Sequence, residues 1–108
     1  MTFEELCLHI KTLPYQEARS DETDYLERVF TMGQLTEVAK GLEIFFGPAL
    51  KPTGQNPSGD VKKITKEFGG IRSQQTLYFC QKDNHSFVAM FWPWSNGQLV
   101  TLKLYQLD

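Results

Sequence analysis

The sequence predicts an α+β domain in which about three helices pack on an antiparallel sheet. Two observations carry this prediction. Three strand-like runs, residues 76–82, 85–94 and 98–107, follow one another at the end of the chain with only short turns between them. Upstream of them, three segments repeat apolar residues at helical spacing. The length of 108 residues corresponds to a single domain, residues 1–108.

The predicted helices cover residues 2–13, 31–46 and 58–68. Each begins at a hydroxyl side chain that can accept from the free backbone amides of the first turn. These side chains are Thr2, Thr31 and Ser58. Proline or glycine follows each segment and stops the helix there.

The remaining segments are predicted from composition and from their neighbours. Residues 15–24 are polar and acidic, which favours a loop. Residues 25–30 fit a strand or a helical face, and we favour a short strand because a new helix begins at residue 31. It would add a fourth strand to the three-stranded C-terminal meander. Residues 47–57 contain three prolines and two glycines and form the longest predicted loop.

The turns of the meander predict its register. A two-residue turn at Asp83-Asn84 places Cys80 opposite Phe87. Asn96-Gly97 is a strong type I′ signal and places Phe91 opposite Leu102. Because side chains alternate between the faces of a sheet, one face is then almost entirely apolar, and we expect it to pack against the helices. It carries Tyr78, Cys80, Phe87, Ala89, Phe91, Val100, Leu102 and Leu104.

The opposite face mixes large aromatic and polar side chains, and it supports the leading functional hypothesis. Trp and Tyr dominate binding hot spots, and large exposed apolar patches mark interaction sites. We therefore expect a non-enzymatic binding module that recognises a protein partner, or a second copy of itself, through this face. The expected contact residues are Phe79, Met90, Trp92, Trp94, Thr101, Lys103 and Tyr105. The alternative is that a helix covers this face and makes it core.

Pro93, between the two tryptophans, cannot donate to a strand ladder, so it must lie at an edge, a bulge or a strand end. The two indoles would then form either the rim of a ligand site or a closed end of the core.

A second hypothesis places a small-molecule or anion site, or a small enzyme, at the 47–57 loop. Lys51, Arg72 and His85 would supply its polar groups, beside a helix N-terminus. No Walker or dinucleotide fingerprint accompanies them. Cys80 and His85 would be diagonal neighbours, a pairing that can generate a thiolate nucleophile, but no third orienting group is recognisable. A buried free thiol is the commoner role of such a cysteine.

Other classes of function are disfavoured. Cys7 and His9 lie two apart on a helix and do not face each other, so neither a metal nor another cofactor is expected. Nucleic-acid binding through the lysines of residues 62–66 is weakened by a net charge of −2. No apolar run approaches the roughly 20 residues of a membrane span. With two cysteines and no basic N-terminal segment, we expect a cytoplasmic protein.

Overall fold

The computed structural model describes residues 1–107 and confirms the α+β class. Within this range the helices are α1 (Phe3–Thr12), α2 (Leu35–Phe46) and α3 (Gly59–Thr65). The strands are β1 (Glu17–Glu22), β2 (Tyr25–Thr31), β3 (Thr76–Lys82), β4 (His85–Pro93) and β5 (Leu99–Leu107). Single 3₁₀ turns, Met32–Gln34 and Lys66–Phe68, precede α2 and follow α3.

All five strands of the described chain form one antiparallel sheet in the order β1-β2-β5-β4-β3. The three-stranded meander is therefore only part of the sheet. The fourth strand predicted from residues 25–30 is confirmed as β2. The loop predicted over residues 15–24 was wrong, because Glu17–Glu22 forms the edge strand β1. This strand has almost no buried side chain, so its sequence lacks the alternation that reveals a half-buried strand.

The two turns of the meander differ from each other. Asp83 and Asn84 both have positive φ, 52° and 66°, as a type I′ turn requires. The type I′ turn predicted at Asn96-Gly97 was wrong: of that pair only Gly97 has a positive φ, 70°. The Asn96 side chain instead accepts from two following backbone amides, at 2.9 and 3.3 Å. The predicted register nevertheless holds, with Phe91 opposite Leu102.

The first face of the sheet, the apolar one, packs against α1 and α2. The capping box at the start of α1 is formed, with Thr2 and Glu5 exchanging hydrogen bonds of 2.8 and 3.1 Å. Phe3, Leu6 and Ile10 then point into a core shared with α2. The strands contribute the eight predicted side chains, together with Leu26 and Phe30 of β2.

The two helices approach closely where Gly41 of α2 meets His9 of α1. A Cβ atom at Gly41 would lie 2.7 Å from the imidazole Cδ2 atom. The glycine in the middle of α2 is thus a contact position between helices, which offsets its poor helix propensity.

The second face is covered over β3 and β4 by α3 and by the chain that follows it. Val61, Leu77, Val88 and Met90 form a smaller buried cluster here. Ile64, Phe68 and Ile71 pack against this cluster with part of their surface exposed. The second face therefore has a core of its own, but one built from a helix of seven residues.

Lys51 closes the base of this second layer. Its backbone pairs with Leu77 as a single-residue bridge, through hydrogen bonds of 3.2 and 3.0 Å. Its side chain is 2% exposed. The ammonium group donates to the carbonyl oxygens of Pro52 and Ser73, at 3.0 and 2.8 Å, and to that of Gln75. Burial lowers the pKa of Lys51. The lysine thus ties the two ends of the 52–75 segment together.

None of the helices in residues 1–107 has the length and apolar character needed to cross a membrane.

Candidate binding cleft beside the two tryptophans

A cleft of about 650 Å³ lies between the turn after α3 and the end of β4. We call it the tryptophan cleft. It falls in the size range of small-ligand sites, roughly 300–1,000 Å³. Its lining residues are Gly69, Gly70, Arg72, Gln74, Gln75, Trp92, Pro93, Trp94 and Ser95.

The Gly69-Gly70 pair forms one wall of the cleft by turning the chain sharply. Both residues have positive φ, 86° and 84°, where other residues are strained. The amide of Gly70 donates to the carbonyl of Thr65 at 2.9 Å. This hydrogen bond belongs to a left-handed glycine cap that ends the helical segment. Nothing lies within 4 Å of either missing Cβ atom, so the requirement for glycine is conformational and not steric. The turn brings Arg72 to the cleft.

Trp94 is held in place by its indole N–H group, which donates to the hydroxyl oxygen of Thr101 at 2.8 Å. Its backbone N–H donates to the carbonyl of Leu99, also at 2.8 Å. The guanidinium carbon of Arg19 lies 5.3 Å from the centre of the Trp94 ring. The position of this indole is therefore set by three contacts before any ligand arrives.

Trp92 resembles Trp94 in having a cation over its ring, but it differs from Trp94 at the indole nitrogen. The ammonium group of Lys103 lies 4.3 Å from the ring centre, a cation–π distance. The indole N–H group is buried and has no hydrogen-bond partner within residues 1–107. Buried polar groups are nearly always paired, so an orphaned donor calls for an explanation. A cation thus lies over one face of each indole, and Trp92 also packs against the buried cluster beneath α3.

The polar side chains that line the cleft, Arg72, Gln74, Gln75 and Ser95, can all donate hydrogen bonds. Gln75 is 6% exposed, and its side-chain oxygen already accepts from the backbone N–H of Arg72 at 2.8 Å. Its amide NH₂ group is what remains for a ligand. The Arg72 guanidinium has no carboxylate within 4.0 Å in the described part of the chain. No acidic side chain is among the lining residues.

Only part of the predicted contact set reaches this cleft. Trp92 and Trp94 line it, and Lys103 contacts the ring of Trp92. Met90 is fully buried beneath α3, and Thr101 is 4% exposed with its hydroxyl engaged by Trp94. These two cannot act as surface contacts, because the short helix and the indole cover them.

Phe79 and Tyr105 lie further along the second face. Both pack against the cluster beneath α3. The Tyr105 ring centre lies 4.5 Å from that of Phe68 and 4.5 Å from that of Tyr25. They form part of the second layer and stand outside the lining of the cleft.

The alternative pocket is dispersed. Lys51 is occupied by backbone carbonyls, as described above. His85 is exposed at the start of β4, with its ring 6.3 Å from that of Phe87. Arg72 lines the tryptophan cleft instead. The structure thus combines one member of the second hypothesis with the two tryptophans of the first.

The cysteines are protonated thiols near neutral pH. Burial raises the pKa of Cys7 to about 11 and also raises the pKa of Cys80. A raised pKa lowers the fraction of the nucleophilic thiolate. Within residues 1–107 no group of three histidine, cysteine or acidic side chains is placed to hold a metal ion.

A role for Gln75 was not predicted from the sequence. Neither were the two cation–aromatic contacts and the one side-chain hydrogen bond that hold the indoles. Arg72 and the tryptophans were noted, but in separate hypotheses. The signal that joins them is the Gly69-Gly70 turn, which reverses the chain over β3 and β4 and so carries Arg72 toward the end of β4.

The chain is an α+β protein with an open cleft at one end of its sheet. Compared with models of protein families, with characterised proteins and with solved structures, it gave no match.

Proposed function

We propose that this protein is a non-covalent binding module whose ligand occupies the tryptophan cleft. One observation carries the proposal: both tryptophans of the chain line a single cleft, together with Arg72, which has no carboxylate within 4.0 Å in the described residues. Indoles in a concave site are typical of recognition surfaces, because they bury a large area at low entropic cost.

The lining of the cleft favours binding over catalysis. Of its nine residues, Ser95 has the single hydroxyl group, and there is no histidine, cysteine or carboxylate beside it to act as a base. A nucleophile needs such a partner within hydrogen-bond reach. The two thiols of the protein have raised pKa values and do not line this cleft.

The cleft is also preorganised. Trp94 is held by Thr101 and by the backbone of Leu99, and the turn that follows it is closed by a 3.1 Å bond from the Gly97 amide to the Trp94 carbonyl. A site that is already ordered loses little conformational entropy when it binds, so more of the contact energy appears as affinity.

The test uses the intrinsic fluorescence of the two tryptophans, since no other tryptophan contributes to the signal. A collection of short peptides and of anionic, neutral and cationic small molecules would be titrated into the native protein. We expect at least one class to change the emission and to raise the melting temperature, because a ligand that binds only the folded state stabilises it.

Two controls assign the signal. Trp92→Phe and Trp94→Phe each leave one reporter, and a ligand in the cleft should be seen by both. A dilution series of the free protein tests self-association: an emission change with concentration alone would identify the ligand as a second copy. If no compound and no dilution moves the emission or the melting temperature, the proposal fails.

A further inference from the structure

We infer that the tryptophan cleft recognises a carboxylate joined to a flat apolar group. This inference rests on the proposed function and specifies its ligand. Three features of the cleft point to this ligand: the hydrogen-bonding character of the lining, its charge, and the shape of its apolar wall.

The free hydrogen-bonding groups of the cleft are complementary to an acceptor. Arg72 offers a fork of N–H donors and Gln75 offers its amide NH₂ group, while the indole N–H of Trp92 is buried. The acceptor atom of Gln75 is already used by the backbone of Arg72. A carboxylate accepts only, through two oxygens, and pairs with a guanidinium in a bidentate manner. It is therefore a natural partner for Arg72 and Gln75 together.

The charge of the cleft matches a single negative charge. Arg72 is the one charged side chain among the nine lining residues. Behind the wall, Lys103 has no carboxylate within 4.0 Å in residues 1–107, whereas Arg19 is balanced by Glu17 and Glu27 at 3.1 and 3.7 Å. Ligands with several phosphates carry more charge than one guanidinium can offset, and they are usually held by clusters of cations and backbone amides.

The apolar wall selects the rest of the ligand. Trp92, Pro93 and Trp94 follow one another along it, and a cation already covers one face of each indole. Aromatic rings prefer offset or edge-to-face contact with another ring. A flat apolar body can thus rest against the wall while its carboxylate reaches Arg72. Such a group occurs in small aryl acids and at the C-terminus of a peptide that ends in an aromatic residue.

The experiment compares four probes by NMR and by calorimetry: 3-phenylpropionate, its neutral amide, and N-acetyl-glycyl-phenylalanine with a free or an amidated C-terminus. The indole N–H signals of Trp92 and Trp94 are resolved separately. We expect the free acids to shift the side-chain N–H signals of Arg72 and Gln75, because these groups gain an acceptor, and to shift both indole signals, because the aryl ring lies against the tryptophan wall. The amides should bind at least tenfold more weakly.

Two variants isolate the charge of the cleft. Arg72→Gln removes the guanidinium, and Lys62→Gln removes an equal charge from an exposed position on α3 outside the cleft. Affinity for the acids should fall at least tenfold with Arg72→Gln and stay within twofold with Lys62→Gln. If the peptide acid binds much more tightly than the small acid, the ligand is a chain terminus; the reverse order identifies a free organic acid.

Failure of this inference can be told from failure of the proposed function. If amides bind as well as acids, or if Arg72→Gln has no effect, the cleft binds by apolar contact alone and the inference is overturned while the binding function stands. The same holds if the four probes do not bind but another class in the fluorescence screen does. If no class of ligand binds, both are overturned.

Discussion

The two faces of the sheet are built in different ways. The first is covered by two helices of ten and twelve residues and contains a continuous apolar core. The second is covered over β3 and β4 by a helix of seven residues. Beyond this helix the two indoles lie against the cations of Arg19 and Lys103. The first face buries many more apolar side chains than the second, so we expect it to supply most of the stability, whereas the tryptophan cleft lies on the second face.

The difference follows from what each cover can bury. A fully buried leucine or phenylalanine contributes about 1.5–3 kcal/mol, and the first face has many of them. An exposed cation–aromatic pair contributes about 0.5–1 kcal/mol. The cation–aromatic contacts at the edge of the second face therefore stabilise the folded protein less than the buried side chains of the first face do.

The sharpest test of this division uses matched leucines. Leu102 lies on the first face and Leu77 on the second, and both are fully buried. We expect Leu102→Ala to cost about 4–5 kcal/mol and Leu77→Ala about 2–3 kcal/mol, because a site under a short helix collapses more easily around a cavity. Urea unfolding measures both. Equal losses would remove the distinction between the faces.

The second-largest effect is expected at the base of the second layer. Lys51→Met nearly keeps the length of the side chain but removes the ammonium donor from the carbonyls of Pro52, Ser73 and Gln75, of which the first two still accept from backbone amides. Stability should fall by about 1–3 kcal/mol. Hydrogen exchange should accelerate first in residues 52–75 and not in α1 or α2. Lys62→Met, at an exposed position, should stay within about 0.5 kcal/mol of the parent. Uniform acceleration through the sheet would contradict a local role for Lys51.

A smaller effect is expected from pH at the first face, where Cys7 lies against the core. Its pKa is about 11 in the folded protein, compared with an ordinary value of 9.0. Between these values the unfolded chain has lost the thiol proton and the folded chain keeps it, so stability falls as pH rises from about 9 to about 11. Cys7→Ala should flatten this part of the profile. An unchanged slope in urea titrations at pH 8, 9 and 10 would argue against burial of the thiol.

The smallest effect is expected in a turn whose strands contribute to both faces, so it serves as a reference for the comparison. Asn84 occupies a left-handed position in the β3–β4 turn, with φ of 66°. Asn84→Gly relieves this conformation and should stabilise the protein by about 0.5 kcal/mol. Because β3 and β4 contribute to both layers, exchange should slow on both. Gly97→Ala, at φ of 70°, should destabilise by about 1 kcal/mol in the same thermal-melting series.

Much of the sheet was predictable from local signals. The turns at Asp83-Asn84 and Asn96-Gly97, with the alternation of side chains between the faces of a sheet, were enough for the register of β3, β4 and β5 and for the apolar face. The β1 strand was not predictable, because an exposed edge strand is held by backbone pairing to β2 and its side chains show no period. The Asn96-Gly97 turn shows that a favourable dipeptide does not force a turn type when a longer loop gives the same register.

The candidate site was predictable only in fragments. Trp92, Trp94 and Arg72 each stood out by residue type. Their meeting depends on how α3 docks on β3 and β4, which is a tertiary property. Met90 was misassigned for the same reason, since alternation cannot say which side chains a short helix will cover. Lys51 was misread because a charged residue in a loop is normally exposed, and two of its three carbonyl acceptors, those of Ser73 and Gln75, are brought to it only by the fold.

The Lys51–Leu77 bridge also bears on how the sheet ends. An open edge strand invites another chain to add to it, which leads to aggregation. At β3, the outward amide and carbonyl of Leu77 are already taken by Lys51, so an approaching strand finds that position filled. At the other end, β1 has charged side chains and a bulge between Ala18 and Ser20. The two edges are thus protected by different means, one by a segment of the chain itself and the other by charge and irregular backbone.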